Sequence, residues 1–306
     1  MNFLLAIGLA AASLCLLFVL RIVIKSYLDE RADFVRNAPT EISRHPQRTG
    51  IRGLQEISID PSTDVPRLAG WYAPSSNRAA IILIHGCAAD RSAVLPETRM
   101  LAQAGFGVLA LDLPGQGASE GKSLWGVGER HAVSAAVDWL IKRDEIDPQR
   151  VGVLGQSMGA YIVTQAAVLD PRLRAVVIEA SPSDVVVMNR LATSRWGVLS
   201  QWPTYWALRA SGMPLDMRPK DVIGAIAPRP VLIMGGRLDE LVRPFMAQEL
   251  YDAAKEPKEL WILDKAHHVD YAAVAPQELR DRLVDFYSRA LGSRPESVPE
   301  GSSAPQ

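Results

Sequence analysis

Residues 155–159 have the sequence GQSMG, a G-x-S-x-G pattern that places Ser157 between two glycines. The pattern follows the apolar run RVGVL and precedes AYIVTQAAVLD, whose apolar spacing predicts a helix. A serine on so sharp a strand-to-helix turn needs minimal side chains two positions away on each side, and Gly155 and Gly159 meet that need. This context predicts that Ser157 is a nucleophile rather than an incidental serine in a glycine turn.

A serine nucleophile needs a general base, and the base needs an acid that orients it. Among five histidines, His267 and His268 lie in a loop between the last predicted strand and the last predicted helix. Asp239 lies in the loop that follows the strand PVLIMGG, at the same edge of the predicted sheet as Ser157. The order serine, aspartate, histidine matches a known triad order. These residues alone leave open which of the two histidines is the base.

Acyl transfer through a serine also needs two hydrogen-bond donors for the oxyanion. The backbone N–H of Met158, directly after the nucleophile, is the first candidate. The second should come from the loop after the strand AAIILIHG, where Gly86 permits a tight turn and the N–H of Cys87 would point into the site. An alternative role of Cys87 as a second nucleophile is disfavoured, because no separate histidine and acid accompany it.

Short apolar runs alternate with segments of helical period along most of the chain. The pattern predicts an antiparallel hairpin followed by strands covered on both faces, hence a mostly parallel eight-stranded α/β sheet with helices on both faces. The predicted strands lie in 53–60, 67–74, 79–86, 106–113, 150–155, 174–180, 229–236 and 259–264. The predicted helices are 92–104, 127–143, 158–169, 244–255 and 276–291.

A segment of unusual length separates the strands that end near Ala180 and start near Pro230. It predicts a small helical cap insert at about 184–226. Its aromatic residues either pack the insert onto the core or line a pocket. They are Trp196, Trp202, Tyr205 and Trp206.

The first 25 residues include an uncharged apolar run long enough to cross a bilayer as a helix. No basic segment precedes the run and no small-x-small cleavage site follows it, which favours an uncleaved single-pass anchor over a signal peptide. Positive charges after the run predict a catalytic domain on the cytoplasmic side of the membrane. We expect a connector over 26–52, one domain over 53–291 and a disordered tail over 292–306.

The overall composition excludes several classes of function. The formal net charge of the 306 residues is -1, and no window concentrates basic and aromatic residues, so nucleic-acid binding is not expected. Only two cysteines are present, Cys15 and Cys87, too few for a disulfide framework or a cysteine-rich metal site.

Five motifs in order resemble the α/β-hydrolase superfamily over about 53–291, and the whole is similar to single-pass bacterial hydrolases related to serine aminopeptidases and the Bem46-like group. The motifs are HGCAADRS, DLPGQGASEG, GQSMGA, GGRLDELV and KAHHVD. The resemblance implies Ser157 as nucleophile, Asp239 as acid and His268 as base, with His267 at a position that is often glycine. Gln116 stands where many relatives carry histidine, and Asp184 lies where some relatives place the acid.

The resemblance implies cleavage of an ester, a thioester or an amide through an acyl-enzyme, with no cofactor or metal. An acyltransferase with the same triad and a non-catalytic membrane-anchored binding module are the alternatives. The aromatic insert and the apolar N-terminus favour a small-molecule acyl substrate of lipid-like character.

Overall fold

The structure is a computed structural model. It describes residues 38–292 except 124, 127, 194–204, 207, 210–212 and 214, together with residues 18 and 21. Outside this range lie the rest of the predicted anchor, the first part of the connector, the tail beyond residue 292, Trp196 and Trp202. Within the part of the chain that the structure describes, no helix combines the length and apolar character that a membrane crossing requires.

Each of the eight predicted strands forms, and together they make one sheet in the order β1-β2-β4-β3-β5-β6-β7-β8. The β1/β2 and β2/β4 pairs are antiparallel and all the other pairs are parallel. The predicted mostly parallel sheet is therefore confirmed. The strands are β1 Gln55–Ile59, β2 Leu68–Ala73, β3 Ala80–Ile84, β4 Gly107–Leu111, β5 Val151–Gln156, β6 Leu173–Glu179, β7 Val231–Gly236 and β8 Lys258–Leu263.

The helices follow the predicted segments closely. Three additional 3-10 turns, Ile42–Arg44, Pro46–Thr49 and Arg91–Val94, precede the first α-helix, and Ile223–Ile226 follows the fifth. The described α-helices are α1 Leu95–Gln103, α2 Glu129–Leu140, α3 Met158–Leu169, α4 Val185–Thr193, α5 Pro219–Val222, α6 Pro244–Ala253, α7 Tyr271–Val274 and α8 Pro276–Leu291.

The sheet separates two apolar cores, because successive side chains of a strand point to opposite faces. In β3, Ile82 and Ile84 belong to the core that contains residues of α2, α3 and α6. Ile81 and Leu83 belong to the other core, which contains residues of α1, α7 and α8. Helices on both faces explain why the strand is apolar at every position, as predicted.

The segment between β6 and β7 contains α4 and α5, at the predicted position of the cap insert. Asp184 lies just before α4 and joins the two ends of the insert: its carboxylate contacts Arg218 and Lys220, both at 3.1 Å. Tyr205 and Trp206 pack edge to face with ring centroids 5.7 Å apart, and Trp206 is exposed.

Candidate active site

Ser157 occupies the sharp turn between the last residue of β5 and the first residue of α3. Its backbone has φ 56° and ψ -116°, in a region that side-chain-bearing residues rarely adopt. The N–H of Ser157 donates a hydrogen bond to the carbonyl oxygen of Glu179 on the neighbouring strand, at 2.8 Å. The predicted strand-to-helix turn is therefore present, and its strained residue is the serine.

The two glycines of the motif are required by close approaches of backbone. A Cβ on Gly155 would collide with the carbonyl group of Gly159. A Cβ on Gly159 would collide with the carbonyl oxygen of Ile84 and would lie 2.5 Å from that of His85. The start of α3 therefore packs closely against the end of β3. This packing places the loop after β3 beside Ser157.

Gly159→Ala is expected to lower the free energy of unfolding by about 2–3 kcal/mol, because the clash is with backbone and only a shift of α3 or of the loop can relieve it. Urea unfolding of the purified protein measures the effect. Gly128→Ala is the matched control, since a Cβ there meets nothing within 4 Å. The control should cost less than about 1 kcal/mol; an equal loss in both variants would contradict the packing argument.

The side chains of Ser157, His268 and Asp239 form a continuous chain of hydrogen bonds. His268 Nε2 lies 2.9 Å from Ser157 Oγ, and His268 Nδ1 lies 2.7 Å from Asp239 Oδ2. The other carboxylate oxygen of Asp239 accepts the N–H groups of Leu241 and Val242, at 2.9 and 2.8 Å. Asp239 is buried and its carboxylate is fixed from both sides, so it can hold the imidazole in one orientation.

The structure brings His268, and not its neighbour, to the serine. Asp239 lies in the loop after β7, and His268 lies in the loop after β8. Both loops are at the edge of the sheet where β5 also ends. The N–H of His267 donates to the carboxylate of Asp270 at 2.8 Å, which stabilises the turn before α7. Asp184, the alternative acid, has its carboxylate engaged by the insert instead.

The predicted oxyanion donors flank Ser157 on two sides. Met158 is the first residue of α3, where the N–H groups of a helix have no partner within the helix. A Cβ on Gly86 would lie 3.3 Å from Ser157 Cβ, so the loop that carries Cys87 passes directly beside Ser157. Cys87 is partly buried. This placement is compatible with the predicted donor pair, and their role in stabilising an oxyanion stays a prediction.

His85 has a structural role that its position in the sequence did not predict. It is fully buried, with Nδ1 2.7 Å from the carbonyl oxygen of Gly86 and Nε2 accepting the N–H of Leu113 at 3.1 Å. Burial lowers its pKa, which favours the neutral ring that this donor and acceptor pattern requires. His85 therefore ties the loop after β3 to the loop after β4.

Asp112, at the start of the DLPGQGASEG turn, anchors the same region. Its buried carboxylate accepts the N–H and a guanidinium N–H of Arg91, at 2.7 and 2.6 Å, and the N–H of Ala118 at 2.8 Å. The motif itself was the sequence signal for this residue. Gln116 in the same turn is buried, but nothing in the structure links it to the triad.

Comparison with known proteins places the chain in a family. The family model described as X-Pro dipeptidyl-peptidase (S15 family) matches residues 36–221, more than half of the chain. The chain belongs to this family. The matched range of this S15 member includes Ser157, Gly86 and Cys87, and it ends before Asp239 and His268.

Individual relatives of this S15-family chain extend beyond that range. Uncharacterized protein YfhR of Escherichia coli K12 is 28% identical over 240 residues, covering 74% of this chain and 78% of YfhR. Polyketide transferase ATR5 of Stachybotrys chlorohalonatus is 26% identical over 277 residues, covering 73% and 93% of the two chains. The crystal structure of the Pyrococcus furiosus esterase Pf2001 is 25% identical, with a TM-score of 0.67 and coverage of 81% and 96%. Together these findings confirm the predicted α/β-hydrolase superfamily.

Proposed function

We propose that this chain is a serine hydrolase that cleaves carboxylic esters or thioesters through an acyl-enzyme on Ser157. The observation that carries the proposal is the chain of hydrogen bonds from Asp239 through His268 to Ser157 Oγ, at 2.7 and 2.9 Å. The similarity to an esterase of known structure over 81% of this chain supports ester chemistry. The family description names a peptidase, which cleaves amide bonds. Amide cleavage is the less favoured reaction of the same site.

The proposed reaction proceeds in two halves. Ser157 Oγ attacks the acyl carbon while His268 Nε2 takes the proton of the hydroxyl. The resulting oxyanion accepts hydrogen bonds from the backbone N–H groups of Met158 and Cys87. The tetrahedral intermediate collapses with loss of the alcohol or thiol, which receives the proton from His268. Water then repeats the sequence: His268 takes a proton from water, the hydroxide attacks the acyl carbon, and Ser157 Oγ leaves with that proton.

Exposed apolar side chains near the loop that carries Asp239 support a substrate with an apolar acyl group. Leu238 and Leu241 flank Asp239, and Phe245 follows at the start of α6; each is more than 40% exposed. Trp206 of the insert is also exposed. Exposed apolar side chains that form one patch commonly mark a ligand-binding groove, and an acyl chain bound beside Asp239 would cover those of this loop.

Acyl transfer is the second candidate reaction. It uses the same residues and replaces water by an alcohol or amine acceptor in the second half. The similarity to polyketide transferase ATR5, of which this chain spans 93%, supports acyl transfer as an alternative reaction. Release of free acid in the absence of an acceptor identifies the hydrolase, whereas formation of a new ester only when an alcohol is added identifies the transferase.

We also propose that residues 1–25 anchor the protein in a membrane, with the catalytic domain on the cytoplasmic side. The uncharged run and the positive charges that follow it support the anchor and its orientation. Protease protection of the domain in sealed vesicles of each orientation tests this proposal.

A series of p-nitrophenyl esters from acetyl to decanoyl tests the substrate class. We expect kcat/KM to rise by about threefold or more per two methylenes, because each buried methylene contributes up to about 0.8 kcal/mol. A thioester and an anilide with the same acyl group complete the series, and the ester and thioester should react faster than the anilide. A flat dependence on chain length would exclude an apolar acyl site, and exclusive anilide cleavage would exclude the esterase.

A further inference from the structure

A buried cluster of polar side chains lies directly behind the nucleophile, on the α8 face of the sheet. Gln156 and Glu179 end β5 and β6, each two positions beyond a residue of the core on that face, Leu154 and Val177. Glu97 approaches the same core from α1, whose Leu95 and Leu101 belong to it. Glu97 and Glu179 are 2% and 0% exposed.

Among the described residues, no positive charge is paired with the two carboxyl groups. Glu179 Oε1 accepts the amide N–H of Gln156 at 3.1 Å, while Glu179 Oε2 and Glu97 Oε2 are buried without a hydrogen-bond partner. In the described part of the chain, no lysine, arginine or histidine side chain is hydrogen-bonded to either group or pairs with it. Two bare carboxylates in such a place would be very unfavourable.

Two tyrosines, and no cation, are the other described titratable groups on which the Glu179 charge acts. Tyr271 of α7 and Tyr287 of α8 both lie within range of the Glu179 charge, and Tyr271 also lies within range of Asp239 and Asp270. Burial is the main cause that raises the pKa of both phenols, so both stay neutral at physiological pH. Tyr287 already donates its hydroxyl to the carbonyl oxygen of Val153, at 2.8 Å.

Glu179 is also a direct support of the nucleophile. Its backbone carbonyl oxygen accepts the N–H of Ser157, and its side chain accepts from Gln156, the residue before the serine. A displacement of Glu179 would therefore move both residues that set the strained turn.

We propose that Glu97 and Glu179 share one proton, and that this carboxylic acid–carboxylate pair is a positioning device for Ser157. The proton satisfies the unpartnered oxygens and leaves a single negative charge. Its loss at alkaline pH leaves two negative charges buried in one core beneath the serine, and their repulsion displaces Glu179 and the turn. The proposal rests on the proposed role of Ser157 as nucleophile.

The direction of the pKa shifts agrees with this arrangement. Burial raises the pKa of Glu97, and burial followed by repulsion from Glu97 raises that of Glu179 well above the ordinary carboxyl range. The folded state therefore retains protons that the unfolded chain has already released. The free energy of unfolding must fall as pH rises from the ordinary carboxyl pKa to the raised one, and it is highest below that interval.

Glu97→Gln tests the proposal, because the amide can donate to Glu179 without titrating. The readout is the rate of covalent labelling by a fluorophosphonate probe. In the wild type we expect this rate to fall about tenfold between about pH 7.5 and about pH 9.5, through loss of the shared proton. In Glu97→Gln it should fall less than twofold from a pH 7.5 rate close to the wild type. Glu278→Gln, an exposed carboxyl in α8, is the matched control and should retain the wild-type profile.

Two further measurements keep the test decisive. The thermal midpoint, measured in the Ser157→Ala background, should lose about 5 °C less between about pH 5 and about pH 8 when Glu97 is glutamine. If Glu97→Gln fails to fold, infrared spectroscopy of the wild type should still detect a protonated carboxylic acid at about pH 8, above the range of an ordinary carboxyl group.

Several outcomes would contradict the proposal that Glu97 and Glu179 share one proton. They are an unchanged alkaline loss in Glu97→Gln, the absence of a protonated carboxyl band, or an activity that disappears when metal ions are removed by a chelator and returns with a cation. Absence of labelling in the wild type at every pH is a different result, because it contradicts the nucleophilic role of Ser157 and hence the proposed function itself.

Discussion

Replacement of Ser157 by alanine is expected to lower kcat by on the order of 10⁴–10⁶-fold and to abolish labelling by a fluorophosphonate. The reason is that the proposed base is directed at this hydroxyl: His268 Nε2 has Ser157 Oγ as its partner at 2.9 Å. The backbone of the turn does not depend on the hydroxyl, because its N–H bond to Glu179 and the start of α3 are main-chain features. The loss should therefore appear in kcat with an unchanged thermal midpoint.

Two controls separate this result from general damage. Ser58→Ala changes an exposed serine of the edge strand β1 and should leave kcat unchanged. Cys87→Ala should retain most of the rate, since the predicted contribution of Cys87 comes from its backbone N–H. Loss of activity in Cys87→Ala together with full activity in Ser157→Ala would mean that the nucleophile is the thiol.

Asp239→Asn is expected to lower kcat by about 10⁴-fold with little change in KM. The backbone N–H groups of Leu241 and Val242 fix which side-chain atom faces them, so the amide oxygen keeps those bonds. The amide NH₂ group then faces His268 Nδ1, which must accept, and the ring proton moves to Nε2. A protonated Nε2 cannot take the proton of Ser157. Steady-state kinetics and proton NMR of the imidazole N–H measure the rate and the tautomer.

Asp184→Asn is the matched control for this variant. Asp184 is also a buried aspartate after a sheet strand, but its carboxylate contacts Arg218 and Lys220 of the insert. We expect less than a tenfold loss of kcat and no change of imidazole tautomer. The opposite ranking of the two variants would assign the acid to Asp184 and contradict the geometry at His268.

Much of the fold was predictable because local rules agree with the tertiary structure. The continuous apolar runs form strands covered on both faces, and helices 158–169 and 276–291 begin and end where the apolar spacing predicts. The triad order and the G-x-S-x-G pattern are likewise local features that identify Ser157 and Asp239 as candidates. A single sequence shows these patterns because strand burial, helix period and turn chemistry each depend on residues that are close together in the chain.

Other features could not be derived from spacing. The choice between His267 and His268 depends on the turn after β8, in which His267 uses its N–H to bind Asp270 while the next ring points to Ser157. The position of His85 between two loops depends on the loop after β4, and the burial of Glu97 and Glu179 depends on how α1 packs against the sheet. These contacts join residues far apart in the chain, and only packing decides them.

The sequence by itself determined the class of sheet, the candidate nucleophile and the set of residues from which acid, base and oxyanion donors could come. The tertiary structure decided which of them meet. Residues 157, 239 and 268 converge because parallel strands end at one edge of the sheet, and the carboxyl pair arises because α1 and β6 bury their glutamates in the same core. The physical reason is that strand and helix patterns are local, whereas proximity, burial and the resulting charge of a carboxyl group belong to the assembled fold.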